Sequence, residues 1–149
     1  MADRRATLDH ALPSSRPPRG LRRLGRWRLD DLSGLTGLRH GVHEAVTGEV
    51  GRSRAPRRTA DQVALLVSEL ATNALRHGRA PAVVELGTDG VAFVLDVADH
   101  DTATPPVVAG SRAPGDGGFG LMIARRLADD VGWYATRTTK HVWAVVAPR

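Results

Sequence analysis

The chain has 149 residues, 42% of them hydrophobic, and a formal net charge of +5; that length suits one domain with a sizeable core. It contains no cysteine, which excludes disulfides, thiolate metal sites and cysteine nucleophiles together. Its only lysine is Lys140, which excludes a phosphate loop of the G-K-[ST] kind, and no apolar run is long enough to span a membrane.

Residues 1–20 hold Pro13, Pro17, Pro18 and several arginines with little apolar periodicity. Such a stretch is expected to be a disordered, solvated basic tail ahead of a domain over 21–149. No apolar segment follows the basic start, so no secretory signal is read and a cytoplasmic location is expected. A first strand is predicted through residues 26–29. Asp30, Asp31 or Ser33 can cap the helix that follows, whose apolar face is Leu35, Leu38, Val42, Ala45 and Val46. Gly34, Gly37 and Gly41 weaken that helix by about 1 kcal/mol each relative to alanine, and close packing against another backbone would account for them. His40 and His43 lie three apart; with no third ligand evident they read as exposed or packed histidines rather than a metal pair. After a polar, arginine-rich loop over 48–58, Thr59-Ala60-Asp61-Gln62 reads as a capping box. The central helix should therefore start near Ala60 and end at Gly78 as a left-handed cap.

Along this central helix Val63, Leu66, Val67, Leu70, Ala71 and Ala74 form a buried stripe. Glu69, Asn73 and His77 are four apart and form a row beside it. A carboxylate can orient a water or a hydroxyl. An amide oxygen one turn away can hold Mg²⁺, which keeps several waters and needs few protein ligands. The same spacing also suits a solvated polar face with ordinary helical pairs.

Two strands over 81–87 and 91–99 flank Thr88-Asp89-Gly90, a hairpin signal. Val91, Phe93, Leu95 and Val97 should share one face of the second strand, and Asp99 ends it, as turn-forming aspartates commonly do. Residues 100–117 lack periodicity, and a loop of that length is usually functional or mobile. The glycine cluster over 115–120 opens a helix with Leu121, Ala124, Leu127, Ala128 and Val131 on its buried face and Gly132 at its end. Backbone amides at such a helix start can approach phosphate oxygens. The cluster follows a long loop rather than a tight strand-to-helix turn, which disfavours a dinucleotide fold. A last hairpin turns around Thr139-Lys140, and Trp27, Trp133 and Trp143 read as core or sheet-packing residues. The order strand, helix, helix, hairpin, loop, helix, hairpin implies a two-layer α+β sandwich.

The pattern E-x-x-x-N-A-x-x-H at Glu69, Asn73, Ala74 and His77 resembles the N box of the GHKL (Bergerat-fold) ATPases. The longer run LLVSELATNALRHG is similar to the anti-sigma-factor serine kinases and their stand-alone ATP-binding relatives, and the similarity extends from about Asp30 to Pro148. GGFGL, over 117–121, resembles the second glycine box of those proteins, in the right order after the N box and Asp99. The resemblance implies a mixed, mostly antiparallel sheet covered on one face by helices. ATP and Mg²⁺ are the implied cofactors, with ATP between the central helix, Asp99 and a lid at 100–117. It implies Asn73 as the Mg²⁺ ligand and Glu69 as the catalytic group, with His77 beside the nucleotide. Asp99 would accept from the adenine amino group, and a buried acceptor rejects a base that lacks the donor. Arg112 is implied as a γ-phosphate contact, with Arg125 and Arg126 as competitors, and Gly117, Gly118, Phe119, Gly120 and Leu121 as the phosphate-binding turn. Two departures stand out. Asp101 replaces a usual glycine, and His141 or Val142 falls where a threonine is common at the start of the last strand, so that either Thr138 or Thr139 substitutes or the contact is absent.

Two functions follow from the resemblance. One is a serine/threonine kinase that phosphorylates an anti-anti-sigma antagonist protein, sequesters a sigma factor, or does both. The other is a non-catalytic ATP-binding sensor in the same kind of partner switch. A histidine-kinase catalytic domain would need a dimerising phosphoacceptor helix ahead of it, and a nucleic-acid binder would need an aromatic platform; neither is evident. No direct nucleic-acid partner is expected, and the choice between monomer and homodimer stays open.

Overall fold

The computed structural model describes residues 12–53, 57–106 and 119–148. Strand β1 (Arg22–Leu29) leads through a 3-10 turn (Leu32–Gly34) into helix α1 (Leu35–Ser53). Helix α2 (Arg57–His77), the hairpin β2 (Ala82–Thr88) and β3 (Phe93–Asp99), helix α3 (Phe119–Leu127), and the hairpin β4 (Asp130–Ala135) and β5 (Lys140–Val146) follow. The strands form one sheet in the order β1-β2-β3-β5-β4. The expected two-layer α+β sandwich is present. All pairings between these strands are antiparallel; the one parallel pairing among the described residues is an isolated bridge, Ser14 to Trp133.

The core lies between one sheet face and the helices. Alternate residues of β3, Phe93, Leu95 and Val97, meet Val63, Leu66, Val67 and Leu70 of α2, as the periods of 2 and 3.6 require. α1 packs on α2 and β1, and α3 on α2 and β4. The buried stripe of α1, Leu38, Val42 and Val46, agrees with the sequence pattern. Gly41 of α1 receives the indole of Trp27: a Cβ there would lie 2.6 Å from Nε1. The close packing that the glycines suggested is thus, at this position, against an aromatic ring rather than a backbone. Asp31 caps the 3-10 turn that leads into α1, accepting from Ser33 N–H at 2.9 Å.

Several local expectations change. α2 begins at Arg57, so Thr59 sits inside the helix, buried, and not at its cap. Val91 belongs to the hairpin turn and is 72% exposed, because the turn takes Asp89 to Ala92, with Asp89 accepting from both Val91 and Ala92 N–H at 2.8 Å. α3 ends at Leu127; Val131 and Gly132 lie in β4, where Gly132 faces the Trp143 ring. The described part of the expected disordered tail is held on the sheet. Leu12 is buried, Ser15 N–H donates to Trp133 O, Trp133 N–H donates to Pro13 O, and the Trp143 indole N–H donates to Ser15 O. The backbone groups along the edge strand β4 supply the partners that local sequence pattern does not reveal.

Candidate functional site

The site is built where the C-terminal end of α2 meets the ends of β3 and β5. Asp99 closes β3 on the helix-facing side and is 3% exposed. A buried carboxylate needs compensation, and it comes first from backbone amides. Oδ1 accepts from Asp101 N–H at 2.7 Å and, more weakly, from Arg79 N–H at 3.4 Å. His100 N–H in turn donates to Arg79 O at 2.9 Å, so the chain after α2 and the chain after β3 hold each other. Oδ2 lies 3.5 Å from Lys140 Nζ, the residue opposite Asp99 in the β3–β5 register. That is an ion-pair distance and longer than a good hydrogen bond. Oδ2 therefore faces Gly78 with no hydrogen-bond donor among the described residues, which fits a ligand amine.

Gly78 is not the left-handed cap that its place in the sequence suggests; among the described residues only Gly20 and Gly90 have positive φ. Its N–H donates to Ala74 O at 3.0 Å as the helix runs out. What it supplies is closeness: a Cβ would meet the Asp99 carboxylate and lie 2.6 Å from Ala74 O.

One turn back, Glu69 and Asn73 are half-buried. Neither makes a hydrogen bond or ion pair among the described residues. Two polar side chains withdrawn from water without a protein partner are an exception to the usual rule. They fit a hydrated cation and a hydroxyl, the donor set an amide and a carboxylate can serve. His77, third in the row, is exposed in the last turn of α2, where a basic side chain suits the helix C-terminus; no contact joins it to Asp99.

Asp101, at the usual glycine position, is half-buried. Burial pushes its carboxyl up, but Ala103 N–H, the Lys140 ammonium and Thr104 outweigh that and hold it below the ordinary range. Lys140 is 7% exposed and donates to Thr104 O at 3.1 Å.

Arg112, Gly117 and Gly118 lie outside the described residues. Among the described residues the helix begins at Phe119, and backbone amides at a helix start are the groups an anion would meet. The Leu121 side chain is in the core, 1% exposed, so only its backbone could serve a phosphate. Arg125 and Arg126 are exposed in the last turn of α3, away from its start. The missing threonine has a plain account: Lys140 stands opposite Asp99, Val142 faces the core, and His141 faces the other side of the sheet.

On that other side, His141 Nδ1 lies 2.6 Å from Asp96 Oδ1, and Tyr134 Oη donates to Asp96 Oδ2 at 2.7 Å. The two rings stack at 4.4 Å, and Thr139 Oγ1 lies 2.8 Å from His141 Nε2. This network fastens the last hairpin away from the candidate site. His43 lies 2.9 Å from Asp61, and no group of three metal-ligating side chains occurs among the described residues.

No helix among the described residues is long and apolar enough to cross a membrane. Comparison with solved structures matches the RsbU and RsbW domains of Rv1364c from Mycobacterium tuberculosis, with TM-score 0.57 and 15% identity over 83% of this chain. The chain spans only 32% of that protein's chain, so the likeness is one of fold. No curated protein matches the sequence. Residues 33–146 match the histidine kinase-like ATPase domain, and over that extent the chain belongs to the histidine kinase-like ATPase domain family.

Proposed function

We propose that this chain is an ATP-binding regulatory protein acting as a serine/threonine kinase of the anti-sigma-factor type. The observation that carries the reading is the half-buried Glu69 and Asn73, one helical turn apart and without protein partners, on the helix whose end touches Asp99. Asp99 Oδ2 takes the adenine amino group. The Asn73 amide oxygen holds Mg²⁺, which when bound neutralises charge on the phosphates. Glu69 orients the serine hydroxyl of an antagonist protein and accepts its proton as the γ-phosphoryl passes to that oxygen, the bond from the γ-phosphorus to the β–γ bridging oxygen breaking and ADP leaving. The amides at the start of α3 face the phosphates. Such transfer rests on positioning and electrostatics, so few groups suffice. The protein partner is an anti-anti-sigma antagonist, a sigma factor, or both in alternation.

Incubation with labelled ATP, Mg²⁺ and candidate antagonists tests the kinase step, and calorimetry with ATP and GTP tests the site. Equal affinity for the two nucleotides counts against Asp99 as the base acceptor. A second reading, a sensor without catalysis, is favoured by Asp101, which stands where glycine was expected, and by His141 or Val142 falling where a threonine was expected. In that case ATP binds and no antagonist is phosphorylated.

A further inference from the structure

The 149-residue chain carries 21 lysines and arginines, and only Lys140 is a lysine. It is also a rarity in position, a cation 7% exposed, since ammonium groups are almost never fully buried unless paired. Its register partner is Asp99, and both side chains sit on the helix-facing side of the sheet. The ammonium has three protons to place. One goes to Thr104 O at 3.1 Å, and one points to Asp99 Oδ2 across 3.5 Å. The third has no acceptor among the described residues. Beside it, Oδ2 is a buried acceptor without a donor at hydrogen-bond distance. An acceptor and a donor thus stand side by side, both nearly buried and both under-satisfied.

We infer that Lys140 is a second base-reading group, donating to the ring nitrogen N1 of adenine while Asp99 Oδ2 accepts from the 6-amino group. The inference rests on the adenine-nucleotide reading above and deepens it. The chemistry matches atom for atom. The Watson–Crick edge of adenine offers an N–H donor at position 6 next to an acceptor at N1. The Asp99–Lys140 pair offers the complement in the same order. Hypoxanthine reverses both polarities, with a carbonyl oxygen set against the carboxylate. A lysine suits this role better than the arginine used almost everywhere else in the chain. Its ammonium is compact, with rotatable donors on a flexible stem, whereas a guanidinium is a planar fork that would seek both carboxylate oxygens. Oδ1 is already taken by backbone amides. The same ammonium holds Thr104 O, so reading the base and placing residues 101–106 share one nitrogen.

The test compares ATP with 1-deaza-ATP, in which N1 is replaced by C–H, by calorimetry on the full chain and on Lys140→Met. A hydrogen bond to a charged donor in a buried place predicts that the wild type binds 1-deaza-ATP about tenfold or more weakly than ATP. In Lys140→Met the two nucleotides bind within about twofold of each other. Equal wild-type affinities overturn the inference whether or not the Met variant folds. If ATP also binds wild type but not Asp99→Ala, the adenine reading survives that failure. If the wild type does not bind ATP at all, both fall.

Discussion

Gly78 lies against the carboxylate of Asp99, so close that no side chain fits between them. The obstacle is not a flexible tip. Asp99 is pinned by two backbone amides, and the Ala74 carbonyl closes the other side at 2.6 Å. Gly78→Ala is therefore expected to destabilise by about 1–3 kcal/mol, the usual cost of overpacking. It should also lower adenine-nucleotide affinity by displacing Oδ2. Thermal unfolding and calorimetry on the same preparation check both. A variant with unchanged Tm and affinity would show that Asp99 does not need this approach.

Glu69 and Asn73 are neighbours with different expected effects. In the proposed mechanism Asn73 acts on the bound ground state, so Asn73→Ala should weaken nucleotide binding and abolish its Mg²⁺ dependence. In the same proposal Glu69 acts on the nucleophile, so Glu69→Ala should keep affinity within a few-fold. It should cut single-turnover phosphorylation of a partner serine by roughly 10²–10⁴. Loss of binding in Glu69→Ala would make that residue structural, and transfer at the wild-type rate would remove it as the base.

The network on the opposite sheet face should be separable from the site. Asp96→Ala leaves the Tyr134 hydroxyl and the His141 ring without their carboxylate and should cost about 1–3 kcal/mol, with nucleotide affinity unchanged. It also has a pH signature. Burial first, then the hydrogen bond to Asp96, hold the Tyr134 phenol above its ordinary value. Its neutral form is favoured by folding, so this stability is complete below about pH 10, the value of an unfolded tyrosine. It is lost as pH rises from there through the folded value. Urea melts at rising pH should show the decline in wild type, smaller in Asp96→Ala.

The amino-terminal segment contributes to the fold. Leu12 is 4% exposed and joins the core. Leu12→Ala should cost about 2 kcal/mol, the low end of such substitutions because a terminal segment can shift to fill space. Trp emission should move to the red as the segment loosens and the Trp143 indole N–H loses its bond to Ser15 O. An unchanged spectrum and Tm would mean that this contact is not populated in solution.

What could be read from the sequence was what depends on local period. The α2 stripe, the α1 face and the hairpins appear as repeats of 3.6 and 2, and Asp99 is visible because an apolar run stops there. Lys140 was not legible as part of the site, because its meeting with Asp99 depends on the β3–β5 register, set by where residues 136–139 turn. Gly78 looks like any helix-ending glycine until the end of β3 is laid against it. Thr59 fits a capping pattern, but α2 already begins at Arg57 and takes it into the helix, buried. Leu12 is one leucine between polar and proline residues, and its burial comes from tertiary pairing alone.

A sheet of five strands has two borders, and borders can template strands from other molecules. Here β4 is covered at Trp133 by Pro13 and Ser15, which use its N–H and C=O. The other border, β1, carries Arg22, Arg23, Arg26 and Arg28 and shifts register between Arg23 and Gly25. Charge and a bulge both discourage an incoming strand. Both borders of the sheet thus carry features that work against pairing with a strand from another molecule.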